Sequence, residues 1–495
     1  MITQTERKFN FVENIFPMAD SRTYAGKFLR RINDRVNWHS HFTLFLLSLL
    51  AALGLFYLVS DTAFTDTQNF VLFILFFSIA LWVTEAIPPF AVGILIIGFL
   101  VFSIGNDDPE NVKKYVQTWS DSVIWLFLGG FFLAEGMKKT GLDKDLLKIT
   151  IPKFGNKSEI ILLGLMMLTA ILSMLMSNTA TTAMMIATIT PILKSLGSQA
   201  ALSKNLLIGI PAAASIGGMG TIIGSAPNAI VVGALEGMGI QISFLEWMLF
   251  GIPIALILIL LFWYVLLKKN PIKTKTMQLD YLFKNSVQER MPQKHALLHK
   301  RLTLIILVLT LVLWLTSGFT GIPVAVVSGV PIVALTMFSI IESDEVRALP
   351  WDTLMLVAGG LALGLAVQEQ GLAQYFVSLI PASDINLYIL YILFGLFTVV
   401  FSNIMSNTAT ATIFIPIAIS LIMSIDASNA ITLPMIIGLS ASCALLLPVS
   451  TPPNAIAFST GMLKQSDFRF GGIFVGLLGP VVVILWSLLM VSLFY

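Results

Sequence analysis

Charge is what this 495-residue sequence has least of. Asp, Glu, Lys and Arg together make up 11% of it, against roughly 25% in soluble globular domains, and its mean hydropathy is +0.89. A chain this apolar cannot present a water-covered surface, so a soluble domain of any size is excluded. Cysteine is nearly missing too. The single copy, Cys443, stands in an apolar run, which excludes an intrachain disulfide and a cysteine metal pair and leaves packing as its role. No apolar h-region precedes Phe42, so the first 41 residues do not read as a cleaved signal peptide. They are polar and basic, with Arg22, Lys27, Arg30, Arg31 and Arg35, and are expected to form a cytoplasmic segment.

Four stretches contain no Asp, Glu, Lys, Arg or His: 160–193, 206–235, 385–425 and 431–463. Their polar groups are hydroxyls and amides without a titratable partner, which argues against an enzyme, since a nucleophile there would have no base. His39, His41, His295 and His299 all fall in segments expected to be cytoplasmic, which argues against proton coupling through histidine. Glu85 and Glu135 are expected to be the acidic residues nearest the bilayer core. A proton relay is one reading of them; the plainer one is a position near a membrane surface, paired or snorkelling.

What the sequence has in abundance is apolar runs of about 20 residues, each long enough to cross a bilayer core of roughly 30 Å as a helix. The fold class expected is an all-α polytopic membrane protein. Spans are predicted at 42–60, 69–84, 88–104, 122–138, 205–235, 247–267, 302–319, 323–341, 353–369, 431–462 and 472–494. Two further apolar stretches, 158–193 and 385–425, are too long for one ordinary span. Lys and Arg accumulate on the cytoplasmic side, and the linker 268–301 carries nine of them. With the basic N-terminus inside, that linker is also inside only if 158–193 enters and leaves on one side, as a re-entrant hairpin. Six Lys precede this hairpin in 138–157, whereas no Lys or Arg lies in 368–384 before the other. The first hairpin is therefore expected to open from the cytoplasm and the second from outside, with the C-terminus outside. The stretch from Lys138 to Lys157 is also expected to lie flat on the inner leaflet.

Oppositely opening hairpins are what an inverted internal repeat produces. Other pairs support the repeat: AIPPFAVGIL (86–95) with GIPVAVVSGV (321–330), WLFLGG (125–130) with MLVAGG (355–360), and APNAI (226–230) with PPNAI (452–456). The expected organisation is a segment 1–41, an extra span in 42–68, one repeat in 69–267, the linker 268–301 and a second repeat in 302–495. Each repeat has five spans and a hairpin. The paired glycines at Gly129 and Gly359 are expected to permit close helix packing, and Asp121 and Asp352 to be ordinary interface residues.

Each hairpin holds the same six letters at its middle, MSNTAT at Met176–Thr181 and again at Met405–Thr410. Polar side chains and a broken helix at mid-membrane leave groups that lipid cannot satisfy. In one isolated copy, Ser, Asn and Thr bonded back to their own and neighbouring helices would be the plain explanation; two matched copies favour a site. GTIIGSAPNAI (220–230) and LPVSTPPNAI (447–456) each set proline and asparagine in mid-span, where proline opens the helical ladder. Helix N-termini there would favour an anion, and unwound carbonyls with Ser and Asn oxygens would favour a small cation. Buried cationic side chains are absent, so bound cations are the natural counter-charge for a dianion.

In these motifs the sequence resembles the divalent-anion:sodium symporter family, the INDY-type di- and tricarboxylate carriers, over nearly its whole length. The resemblance implies a homodimeric, elevator-type carrier in the plasma (inner) membrane, with a small dicarboxylate or citrate as substrate, sodium as coupling ion, lipid around it and no nucleic-acid partner. It implies one sodium site at Ser173, Ser177, Asn178 and the carbonyl of Gly224, and another at Ser402, Ser406, Asn407 and backbone near Ser450. Substrate carboxylates would meet Asn178, Thr179, Ser225, Asn407, Thr408 and Thr451, with Pro227 and Pro453 holding the loops open. The sequence departs from the family pattern at Ala226, where STPPN keeps a first proline. Sodium-independent dicarboxylate exchange is the alternative within the family. An anion channel suits two oppositely opening hairpins less well than alternating access does.

Overall fold

The computed structural model describes residues 24–104, 112–197, 200–272, 294–372, 375, 386–425, 430–448 and 450–495. Among these the secondary structure is helical, with no strand. Helices of eight or more residues are α1 Tyr24–Val59, α2 Asp66–Thr84, α3 Pro89–Ile104, α4 Ser122–Thr140, α5 Leu142–Thr150, α6 Ser158–Ser173, α7 Asn178–Leu196, α8 Ala201–Gly217 and α9 Ala226–Glu236. They continue as α10 Phe244–Lys269, α11 Lys294–Leu315, α12 Val324–Met337, α13 Trp351–Glu369, α14 Leu387–Ile404, α15 Asn407–Ile425, α16 Thr432–Ala441, α17 Pro452–Ser459 and α18 Gln465–Phe494. Local sequence sets several ends. Thr65 with Gln68, and Ser243 with Glu246, form capping boxes at the starts of α2 and α10. Gly141, at φ 69°, ends α4.

Among the described residues, seven helices are long and apolar enough to cross a membrane: His41–Val59 of α1, α2, α10, Ala296–Leu315 of α11, α13, α14 and α18. That is fewer than the eleven spans expected. The stretches 205–235 and 431–462 are each two helices, α8 with α9 and α16 with α17, because the backbone unwinds where proline and glycine cluster. Shorter apolar helices include α3 and α12, of 16 and 14 residues. α14, expected as a hairpin arm, is itself among the seven. α1 begins at Tyr24, inside the segment expected to precede the first span; Lys and Arg are good helix formers, and a helix already nucleated in 42–59 propagates into them at little cost. Residues 1–23, 273–293 and most of 370–384, which carry much of the charge argument for orientation, lie outside the described residues.

The packing of residues 66–269 recurs in 294–495. In the first half α2 packs on α3, α6 on α8, α7 on α8, and α8 on α10; in the second α11 packs on α12, α14 on α16, α15 on α16, and α16 on α18. Between the halves the contacts are reciprocal: α3 with α13 and α12 with α4, then α9 with α15 and α16, and α17 with α7 and α8. The glycine pairs follow the same exchange. A Cβ on Gly359 would stand 2.2 Å from the Gly93 Cα, and one on Gly129 would stand 2.7 Å from the Ser328 Cβ. Gly93 and Ser328 hold equivalent places in the paired segments 86–95 and 321–330. Both glycines thus permit close helix packing.

The basic stretch 138–157 contains α5, which buries Leu142, Asp143 and Leu147 and leaves Ile149 exposed. Lys300 ties it to α11 through Asp145, at 2.6 Å. Glu135 is paired with Lys138 at 3.1 Å, and Glu85 is an exposed left-handed cap on α2, so neither shows the buried geometry of a proton relay.

Candidate functional site: two helix tips and two unwound loops

α6 and α7 are joined through residues 174–177, and α14 and α15 through 405–406, so each MSNTAT copy makes a tip between two packed helices. The serine of each SNT starts the second arm. Ser177 Oγ accepts from Ala180 N at 3.2 Å and Ser406 Oγ from Ala409 N at 3.1 Å. Asn178 and Asn407 are then the first helical residues, with Thr179 and Thr408 next.

In the first half, four oxygen-bearing groups meet. Ser173 is wholly buried and donates to Ala214 O at 2.8 Å. With its nitrogen turned inward, the Asn178 amide donates to Ser173 Oγ at 2.6 Å, Ala214 O at 3.1 Å and Gly224 O at 3.2 Å. With Oδ1 turned inward, oxygens from Ser173, Asn178, Ala214 and Gly224 face one another, and Ser173 Oγ alone has a proton to give. That second set is a hard, uncharged ligand group of the kind that binds sodium, so these residues fit the ion. Backbone closeness makes the group possible: a Cβ on Gly218 would lie 2.6 Å from Asn178 Oδ1 and 2.8 Å from Gly224 O. Of the expected ligands, Ser173, Asn178 and Gly224 come together. Ser177 does not join them through its side chain, because its exposed hydroxyl serves as the helix cap.

In the second half, Ser402 Oγ and Asn407 Oδ1 are buried atoms with no hydrogen-bond partner among the described residues. A buried oxygen left in this way costs stability unless a ligand meets it. The Ser450 hydroxyl is turned elsewhere, to Leu447 O at 2.8 Å and Ala444 O at 3.3 Å. Ser406 Oγ is the cap described above.

The two loops end alike. α9 starts at Ala226 and α17 at Pro452, so replacing the first proline does not move the helix start. Pro227 and Pro453 both lie in the first turn and are buried. Thr451 Oγ1 accepts from Asn454 N at 3.3 Å, whereas Ser225 makes no side-chain cap. α7 and α15 begin at the tips, where the N–H groups of Asn178, Thr179, Asn407 and Thr408 lack intrahelical partners and carry partial positive charge, whereas α9 has proline at its second position and α17 at its first two, so their first turns offer fewer N–H groups. Thr179 is exposed, Thr408 half-buried, and Ser225 and Thr451 are buried.

Sequence reasoning missed three asparagines. Asn228 Nδ2 donates to Gly218 O at 2.8 Å and Thr221 O at 2.7 Å. Asn454 Nδ2 donates to Leu447 O at 3.1 Å and Leu445 O at 3.4 Å. Asn403 Oδ1 accepts from Leu446 N at 2.9 Å. The repeated PNAI was the signal for the first two. Asn403 faces a methionine, Met174, at its repeat position, so comparing the repeats gave it no support. Among the described residues no three His, Cys, Asp or Glu side chains form a group that could hold a metal ion.

Residues 39–494 match the family described as the sodium:sulfate symporter transmembrane region. The chain is 31% identical over 475 residues to the sodium-dependent dicarboxylate transporter SdcS of Staphylococcus saprophyticus, covering 89% of this chain and 88% of that protein. The SdcS of Staphylococcus aureus strain USA300 is 31% identical over 447 residues, 82% of each chain. An uncharacterized transporter of Haemophilus influenzae is 32% identical over 473 residues, 90% of this chain and 96% of its own. Among solved structures, Neisseria gonorrhoeae MtrF, described with a class of antimetabolite efflux pumps, superposes with a TM-score of 0.54 at 12% identity, covering 84% of this chain and 97% of that one. At that identity the likeness concerns the fold alone.

Proposed function

Because the chain belongs to the sodium:sulfate symporter transmembrane family, the divalent-anion:sodium symporters, we propose that it is a sodium-coupled carrier of C4 and C5 dicarboxylates such as succinate, malate, fumarate and 2-oxoglutarate. The observation that carries this reading is the group of oxygens from Ser173, Ala214 and Gly224 around the Asn178 amide, which with Oδ1 turned inward would make a cation site with no carboxylate in it. Such a site holds sodium well only when an anion shares the pocket, and a dianion without buried Lys or Arg needs the cation equally. Each ligand supplies the other's counter-charge, which is how binding becomes coupled.

In the proposed mechanism Ser173, Asn178 and Gly224 O hold one sodium, and Ser402 and Asn407 a second. Backbone N–H groups at the helix starts, with Thr179, Ser225, Thr408 and Thr451, receive the carboxylates. The reciprocal packing of the two halves supports a pair of inverted repeats, with the tips as re-entrant hairpins and the loops crossing between them. A homodimer in the plasma membrane, N-terminus cytoplasmic and C-terminus outside, then alternates access by moving the tip-bearing helices as an elevator past the remainder.

The test is succinate uptake by purified protein in liposomes, with or without an inward sodium gradient and with or without dicarboxylate inside. Symport requires sodium-driven uptake into empty vesicles. Uptake confined to preloaded vesicles and indifferent to sodium would establish an exchanger instead.

A further inference from the structure

We propose that Asn228 and Asn454 are positioning residues that set the affinity for the coupling cation through the two loop carbonyls that each amide nitrogen holds. The inference rests on the cation reading of the two tips and extends it to the residues that shape their loops.

The loop 218–225 has more carbonyls than one ion can use, and its glycines allow many arrangements of them. Side chains from outside remove the choice. Asn228 Nδ2 takes the carbonyls of Gly218 and Thr221. Trp247 Nε1 takes that of Met219 at 3.0 Å. Thr221 Oγ1 donates to Met174 O, bolting the loop to the tip. Gly224 O is left to meet the Asn178 amide. The loop doubles back on itself, since a Cβ on Gly224 would stand 2.6 Å from Gly218 O. Asn228 is wholly buried, so no solvent is at hand to replace its two donated bonds.

The second loop, which leads into the other PNAI copy, differs in sequence before that motif and has the same device. Asn454 Nδ2 reaches the carbonyls of Leu447 and Leu445, and Ser450 Oγ shares Leu447 O. Here too the tip grips the loop, but with polarity reversed: in the first half a loop side chain donates to the tip backbone, in the second the loop backbone donates to Asn403. Each asparagine stands three residues after its loop's last serine or threonine, Ser225 or Thr451, inside the repeated PNAI, and in each half its amide holds two loop carbonyls although the residues before the motif differ, which makes the clamp a feature shared by the two halves.

Loss of either clamp frees carbonyls that compete for the ion or withdraw from it, and acts on its own tip. Asn228→Ala and Asn454→Ala are each to be titrated with sodium chloride against choline chloride at constant ionic strength, first by thermal unfolding of the purified protein without substrate, then by liposome uptake. The sodium midpoint is expected to rise about tenfold or more in each variant, while the succinate KM at saturating sodium stays within about threefold of wild type. Asn228→Ser and Asn454→Ser keep one donor and serve if the alanine variants do not fold; they are expected to give smaller shifts in the same direction. An unchanged sodium midpoint, or an equal loss in both constants, overturns the proposal. A wild-type protein whose unfolding ignores sodium would overturn the cation reading itself, a result distinct from a sodium response that the variants retain.

Discussion

At the residue scale, matched asparagines begin α7 and α15, and their side chains meet different fates. Asn178 is held among three acceptors, while Asn407 Oδ1 is buried without a partner among the described residues. Both positions were legible because an identical polar sextet in an apolar run has few purely structural explanations. The clamps were not legible, since an asparagine directly after proline reads equally well as a helix-start residue until its carbonyl partners are seen. Asn178→Ala and Asn407→Ala are expected to abolish uptake while leaving the protein folded, as judged by a single sharp peak on size-exclusion chromatography. Near-normal uptake by both variants would refute the assignment of the tips. Thr179→Val and Thr408→Val are expected to weaken apparent succinate affinity, each by about 1–3 kcal/mol where the hydroxyl meets a carboxylate. Unchanged affinity in both would restrict the tips to ions.

At the scale of helices, proline and glycine announced the breaks in α8–α9 and α16–α17, but hydropathy read straight through them because both halves are apolar. The same blindness lengthened the expected spans, while α1 was cut short for the opposite reason, its first turns being polar and basic. Gly359 shows how closely the pieces fit. Its added Cβ would meet the backbone of Gly93, which cannot step aside, whereas one on Gly364 would meet the Pro416 Cγ at 3.0 Å. Gly359→Ala is therefore expected to lower thermal stability by roughly 1–3 kcal/mol and Gly364→Ala by less, overpacking being costly where nothing can relax; equal effects would speak against backbone contact as the cause.

Asp121, expected to be an ordinary interface residue, is mostly withdrawn from solvent at the start of α4. Burial pushes its carboxyl up to about 6, the Val123 N–H opposes this, and Glu236 adds to it. The folded state thus binds this proton more tightly than the unfolded chain, whose carboxyl titrates near 3.8. Ionised Asp121 weakens the fold above about pH 6, and the penalty disappears as pH falls toward 3.8. Asp121→Asn keeps an acceptor for Val123 N and is expected to raise Tm at pH 7.5 with little gain near pH 4. A gain independent of pH would contradict this cause.

At the scale of the whole molecule, the halves exchange partners so consistently that one operation relates α3–α13 to α12–α4 and α9–α15 to α17–α7. Sequence echoes foretold the equivalence of segments, though not which would touch, because contact across the halves leaves no mark in either alone. The charge pattern predicts the remaining element, opposite orientation. A cysteine at Lys148, in a background with Cys443→Ala, is expected to label from the cytoplasmic side, and one within 370–384 from outside; the reverse would remove the inverted arrangement. The central claim is that anion and cation stabilise each other in one pocket and move together. It is tested most directly by radioactive sodium uptake into empty proteoliposomes under an inward succinate gradient. Succinate-driven sodium entry, lost in Asn178→Ala and Asn407→Ala, is the predicted result. Succinate entry with no accompanying sodium would contradict the account.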